Sequence, residues 1–294
     1  MKRAVTLINQ GGGGATDGIA ERIGEALATA GVNSKVLLVD GKHCAARAAE
    51  QVKKGTELII AAGGDGTMGA VAGELAGSKS VMAIMPLGTL NHFARDLGIP
   101  FDLNDAAKVI AAGHCRHIDI AEVNGRAFVN NAAIGLYPLM VIDRGAQRQR
   151  LGRSKRLAML VASLRTMARF HSRRLRLRVD GGEAMVDTPL LFVGNNDYRL
   201  AMPSAGQRES LDRGELSVMV MHSKSLPGFL AATGRALLGM SREDDMDRLD
   251  GVRELEVDSA RSHVSLAMDG ETLALSPPLT FRIRPKALRV IAPA

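Results

Sequence analysis

The sequence predicts an α/β chain in two domains with a cleft between them. The N-terminal domain is built on a parallel sheet and the C-terminal one on mostly antiparallel strands. Three observations predict this. Apolar runs and helical patterns alternate through the first 120 residues, the βαβ rhythm of a parallel sheet. After about Ile118 the rhythm gives way to short alternating segments separated by turn signals, as in an antiparallel sheet. The charge divides at the same place. Residues 1–120 hold 12 Lys/Arg against 12 Asp/Glu, and residues 121–294 hold 26 against 19, which is the whole excess of +7. At 294 residues, 46% hydrophobic and 23% charged, the chain is long enough for two cores. The expected domains are 1–120 and 121–280, followed by a tail, 281–294.

Ala4–Ile8 reads as the first strand. Met1-Lys2-Arg3 begins like an export signal, but the apolar run stops at Asn9-Gln10 and four glycines, too soon for one. Ile19–Thr29 is a helix, Val36–Val39 a strand and Ala45–Lys53 a helix. Leu58–Ala62 is a buried strand that runs into Gly63-Gly64-Asp65-Gly66-Thr67 and a small-residue helix, Met68–Leu75. Glycines let backbone N–H groups approach an anion closely, and the helix aims its positive end at the same spot. Asp65 in such a place handles a metal ion or orients a nucleotide. A Gly-rich strand–turn–helix connection without a ligand is the plainer alternative.

Val81–Met85 is another strand, followed by Pro86-Leu87-Gly88-Thr89-Leu90-Asn91 and a helix with Thr89 as N-cap, Gly98 as stop and Pro100 beyond it. Parallel strands end on one side of a sheet, so both loops converge on one crevice. A helix near Ala106–Ala111 completes the domain. A dinucleotide fingerprint fails here. Asp40 ends the second strand as a ribose-binding acid would, but the third glycine of G-x-G-x-x-G is missing at Thr16 or Asp17. The second domain shows strands at Arg126–Asn130, Leu175–Val179, Leu190–Gly194, Leu216–Met221, Glu254–Val257 and His263–Met268. Two more run from Arg282 to Ile291.

GGDGT followed by P-x-G-T-x-N resembles the soluble lipid kinases of the diacylglycerol kinase and sphingosine kinase superfamily. The resemblance continues through Asn130-Asn131-Ala132-Ala133-Ile134-Gly135 to Asp269-Gly270-Glu271, and so covers nearly the whole chain. It implies an NAD-kinase-like first domain to which the tail returns, and the use of ATP with Mg²⁺. Asn9, Gly63, Gly64, Asp65, Gly66, Thr67, Gly88, Thr89 and Asn91 would hold the nucleotide, with Asp65 on its magnesium. Asp269 would act as base on a lipid hydroxyl, with Glu271 orienting it or binding metal. On residues alone, Asp269-Gly270 is equally an ordinary hairpin turn.

The chain departs from the family pattern in places. Gln10 and Gly12 replace Pro and Ser of the family's first loop. His92 and Arg213 stand where many members carry acids of a structural Mg²⁺ network. Asp212 remains from that network, whose site is expected to be altered or absent here, with Arg213 in the place of the cation.

Arg144 to Arg178 holds 12 Lys/Arg and no acid. Leu157, Leu160, Val161, Leu164 and Met167 recur there at helical spacing, the pattern of a basic amphipathic helix on an anionic membrane surface. A charged face over the second domain's core is the alternative. The apolar stretch Leu226–Met240 reads as an acyl-pocket lining or, more simply, a helix packed on the sheet. Nucleic acid is not an expected partner, because Trp is absent and aromatic residues are 3%, too few for base stacking. His114-Cys115-Arg116-His117 lacks a second ligand pair for zinc and reads as a loop before a strand. Two cysteines, Cys44 and Cys115, give no disulfide framework. No run is long and apolar enough to span a membrane. The expectation is a cytoplasmic protein, peripheral at the inner membrane face, and a homodimer is allowed.

The leading function is an ATP-dependent lipid kinase making phosphatidic acid from diacylglycerol, with a sphingoid or other lipid alcohol as alternative acceptor. A soluble-metabolite kinase of the NAD kinase type and a non-catalytic nucleotide-binding membrane sensor are the alternatives from other classes.

Overall fold

A computed structural model describes residues 3–11, 17–89, 91–136, 172–179, 181–198, 208–223 and 225–294. The described residues fall into two compact units. The first comprises Met1–Asn130, Leu211–Gly214 and Arg284–Ala294; the second, Asn131–Ser210 and Glu215–Ile283.

In the first unit β1 (Ala4–Asn9), β2 (Lys35–Val39), β3 (Leu58–Gly63) and β4 (Val81–Pro86) form a parallel sheet in the order β2-β1-β3-β4. Every residue of β3 is buried, as a central parallel strand covered on both faces requires. The cover comes from α1 (Ile19–Thr29), which packs with α5 (Leu103–Ala112), and from α2 (Cys44–Lys53), which packs with α3 (Asp65–Leu75). Asp102 caps α5 by accepting from the N–H groups of Asn104 and Asp105, and Gly113 ends it at positive φ. One apolar core joins these layers, with Leu7, Ile8, Ile23, Ile59, Ile60, Leu75, Met82 and Phe93 wholly buried.

A hairpin, β5 (Cys115–Val123) and β6 (Arg126–Phe128), turns at Asn124 and Gly125, both at positive φ. His114–His117 was expected as a loop before a strand; the strand already begins at Cys115, with exposed residues.

Asp119 on β5 is 1% exposed. Its Oδ2 accepts from the Gly214 N–H at 2.6 Å and its Oδ1 from the Lys286 N–H at 2.7 Å. Its own N–H donates to the Leu211 carbonyl at 2.8 Å. One buried carboxylate thereby fastens both later passes of the chain into this unit, each by a backbone amide.

In the second unit β7 (Asn131–Gly135), β10 (Leu190–Asn195), β11 (Leu216–Met221), β12 (Met246–Val252), β14 (Val264–Met268) and β15 (Glu271–Leu275) form an antiparallel sheet in the order β12-β11-β10-β7-β14-β15. A hairpin of β8 (Arg173–Val179) and β9 (Gly182–Thr188) pairs with β13 (Glu254–Asp258), and β13 pairs with the first part of β16 (Leu279–Ile291). Two last strands were expected, whereas β16 runs unbroken through Pro285 and Lys286, the latter at φ 53. Its later part belongs to the first unit, where Val290 pairs in parallel with Met82 of β4.

α6 (Leu226–Leu237) starts at Ser225, whose Oγ accepts from the Gly228 N–H. Within α6 only Ala232 and Ala236 are buried, and Leu230, Leu237, Leu238 and Met240 are exposed. The stretch is a helix that buries one narrow face, with Leu226 and Phe229 half-buried beside it. Among the described residues no helix is long and apolar enough to cross a membrane. Most of the segment 144–178, including its amphipathic pattern, lies outside the described residues. Its end is β8, where Arg178 pairs with Glu183 and Glu256 and Arg176 with Glu183.

Candidate functional site

The register of the first sheet sets Asn9, Gly63 and Pro86 level at one end, because Ile8 pairs with Ala62 and Gly63 with Pro86. These strand ends and the turns and first helical residues that follow them carry nine of the residues singled out from the sequence. Two glycines there answer to space rather than to backbone conformation. A Cβ on Gly63 would stand 2.5 Å from the Thr67 Oγ1. A Cβ on Gly88 would stand 2.5 Å from the Asn91 Oδ1 and 2.7 Å from the Gly64 Cα, so the two Gly-rich loops touch backbone to backbone. The Leu87 N–H donates to the Gly63 carbonyl at 2.9 Å and continues the ladder into the loops.

Asn9 ties the first loop to α3. Its Nδ2 donates to the Thr67 Oγ1 at 2.8 Å, while its Oδ1 accepts from the Gly11 N–H at 2.9 Å. Residues 12–16 of this loop, among them Gly12 and Thr16, lie outside the described residues. Asp40, the candidate ribose acid, instead accepts from the Lys42 N–H and caps the turn Gly41–His43.

α3 begins at Gly64, which has no side chain to cap the first-turn amides. Those amides, at the positive end of an 11-residue helix, are what an anion binds.

The second loop leads to a short helix, α4 (His92–Asp96). Thr89 was expected as its N-cap. The cap position is Asn91, in the left-handed region at φ 49, and its own side chain donates to the Gly88 carbonyl at 2.9 Å instead of capping. The side-chain acceptor comes from the other loop: Asp65 Oδ1 accepts from the Phe93 N–H at 3.0 Å. Phe93 is wholly buried and anchors the helix, and Gly98 ends the turn at φ 71. Thr89 is exposed.

Asp269 and Glu271 lie in the second unit. Asp269-Gly270 forms the two-residue turn between β14 and β15, with φ 48 and 83, the positive pair that a type I′ hairpin requires. The Asp269 N–H donates to the Asn131 carbonyl at 3.0 Å, and its Oδ1 accepts from the Asn131 N–H at 3.2 Å. The hairpin sets the backbone and the amide at the start of β7 orients the carboxylate. Glu271 is exposed. Asp212 and Arg213 are exposed in the loop that Asp119 holds. Among the described residues no group of three or more His, Cys, Asp or Glu is placed to hold a metal ion, around Asp212 or elsewhere.

Sequence reasoning missed Asp119. The signal was there: an acid flanked by Ile118 and Ile120 in an apolar strand must be buried or break the pattern.

Residues 3–123 match the diacylglycerol kinase catalytic domain family, and residues 140–292 match the YegS C-terminal NAD kinase beta sandwich-like domain. The chain is 30% identical over 240 residues to a diacylglycerol kinase of Bacillus subtilis (strain 168), covering 79% of this chain and 76% of that one. It is 28% identical over 248 residues to the Klebsiella pneumoniae (strain 342) protein named "Probable lipid kinase YegS-like", covering 83% and 80%. The crystal structure of a candidate diacylglycerol kinase from Bacillus anthracis str. Sterne aligns at a TM-score of 0.77 and 25% identity, covering 99% of this chain and 98% of that one.

Proposed function

This chain belongs to the family of diacylglycerol kinases and YegS-like lipid kinases, and from that premise we propose that it transfers the γ-phosphate of ATP to a lipid hydroxyl, with diacylglycerol as acceptor and phosphatidic acid as product. The observation that carries the nucleotide side of this reading is the Asp65–Phe93 hydrogen bond, which locks the two Gly-rich loops together beside the uncapped start of α3. Phosphoryl transfer needs placement and charge stabilisation more than covalent help, and such a cradle supplies both.

In this reading the first-turn amides of α3 and the loop amides bind the phosphates, and Asn9 and Thr67 hold the loops in shape. Asp65 is the carboxylate of the cradle. With one oxygen committed to Phe93, its other oxygen suits a hard cation whose remaining ligands are phosphate oxygens and water. A magnesium ion held there by Asp65 would supply positive charge against the phosphates. Asp269 aligns the acceptor hydroxyl and takes its proton late, because an alcohol is a much weaker acid than a carboxylic acid. Its hydrogen bond from the Asn131 N–H orients the carboxylate for that task in this reading. Glu271 contributes charge at the same turn.

The basic segment between Arg144 and Arg169 carries eight of the twelve cations of 144–178, the other four lying on β8. We assign it the attraction to an anionic membrane surface where such an acceptor resides, worth about 1 kcal/mol per cation. In this reading the enzyme works at the inner face of the membrane.

The test is transfer of labelled γ-phosphate to a panel of micellar lipid alcohols, run beside Asp269→Asn. Labelled phosphatidic acid, lost in the variant, is the expected result. Transfer to a sphingoid base alone would correct the acceptor. No transfer to any lipid, with nucleotide still bound, would overturn the reading in favour of a soluble acceptor or a sensor.

A further inference from the structure

A cavity of about 470 Å³ opens in the first unit at the far end of the sheet from the Gly-rich loops. β1, β3 and β4 start at its floor with Ala4, Leu58 and Val81 and end five residues later at Asn9, Gly63 and Pro86. At about 3.3 Å per residue, the cavity stands about 16 Å from the phosphate cradle. Nothing in the proposed reaction uses it.

Its volume falls within the range of small-molecule sites, and its lining joins an apolar floor to a few polar groups, as such sites do. Lys79 and Arg289 supply the cations. The Arg289 Nη1 donates to the Lys79 carbonyl at 2.9 Å, which holds the guanidinium beside the Lys79 backbone. The Arg289 Nε is buried and has no acceptor. Among the described residues neither side chain takes part in an ion pair. The charge of the guanidinium is therefore left without a carboxylate partner at the rim of the recess, which favours an incoming anion. Glu57 lines the same cavity, so the local charge is two cations against one carboxylate. That balance suits one compact anionic head and disfavours a polyanion such as a nucleotide.

We propose that this cavity binds an amphipathic anion with one compact head, a carboxylate or phosphate monoester on a short apolar chain, with its head at Lys79 and Arg289 and its chain on the strand starts. The site is independent of the kinase reading.

Cys115 lines the cavity and is exposed, while the other cysteine, Cys44, is fully buried. Alkylation of the native full-length chain by a small maleimide therefore reports on the cavity alone. Octyl phosphate or octanoate, kept below micelle-forming concentration, is expected to slow alkylation saturably, and the more potent of the two identifies the head. Neutral octyl glucoside is expected to give no protection. Lys79→Ala, at an exposed side chain, is expected to weaken protection about tenfold, the loss of one charge-assisted contact. Arg289→Gln is expected to weaken it likewise. Protection by inorganic phosphate equal to that by octyl phosphate would overturn the amphipathic site. So would no protection at all, or protection unchanged in Lys79→Ala.

Discussion

The carboxylate of Asp65 accepts a hydrogen bond from the backbone N–H of Phe93, so the acid of the first Gly-rich loop caps the helix that follows the second. Its structural and chemical roles are separable. Asp65→Asn keeps an acceptor for Phe93 and is expected to fold with nearly unchanged stability. Asp65→Ala removes the cap and is expected to cost about 1 kcal/mol in urea unfolding. If Asp65 also works on the phosphates, both variants lose phosphotransfer alike. Full activity in Asp65→Asn would confine the residue to capping.

Gly88→Ala places a methyl group against the Gly64 Cα and the Asn91 side chain. The loops must separate, with an expected cost of about 1–3 kcal/mol and a loss of nucleotide affinity measurable by calorimetry. Gly24 in α1 is the contrast, with nothing within 4 Å of its notional Cβ. Gly24→Ala is expected to stabilise the protein by about 0.5–1 kcal/mol, since alanine restricts the unfolded chain and favours the helix.

Asp119→Ala strips two backbone donors, the half-buried Gly214 and also Lys286, whose amides point at the buried carboxylate, of their acceptor. At about 1–3 kcal/mol for each orphaned group, denaturant unfolding is expected to show a loss of several kcal/mol. Asp119→Asn should recover little of it, because its amide turns an NH₂ toward one of the two donors.

Asp269→Asn is expected to leave stability within about 0.5 kcal/mol of the parent, because asparagine suits the first position of a type I′ turn as well as aspartate does. The rate of phosphoryl transfer, by contrast, is expected to fall by about 10²-fold or more, the scale of a lost general base. A stable but fully active variant would reduce the residue to its turn.

Asp245 is held down to a pKa of about 2, first by the Arg235 guanidinium and then by the Arg242 N–H. A folded-state pKa below the usual value of 3.8 gives stability that is present above pH 4. It is lost as the pH falls through about 2. Asp245→Asn is therefore expected to flatten the acid limb of a stability–pH profile between those values and to lower stability at neutral pH.

Much of this architecture was legible in the sequence because parallel strands and their helices announce themselves locally. Ile19–Thr29 was read to the residue, and α2, β3, β4 and α5 differ from the pattern only at their ends. The antiparallel strands were harder. β9 (GEAMVDT) and β12 (MDRLDGV) are largely exposed and carry little apolar alternation to find. In the candidate site, motif residues were visible and their partners were not. Asp65–Phe93 spans 28 residues and Asp269–Asn131 spans 138, and no local rule links such pairs. Thr89 failed as a cap for the same reason: a distant carboxylate does the work its hydroxyl was expected to do.

The strand that reaches β4 lies at residues 284–291, beyond the whole second unit in the chain, and Asp119 waits for the amide of Lys286. A ribosome that has delivered the GGDGT loop and all of β4 must still deliver some two hundred residues before that edge is covered. Until then the nascent N-terminal sheet offers an open edge and a carboxylate still in water, a species suited to chaperone capture or mispairing. The Gly-rich loops are thus written early in the message, while the strand that closes the sheet beneath them follows some two hundred residues later.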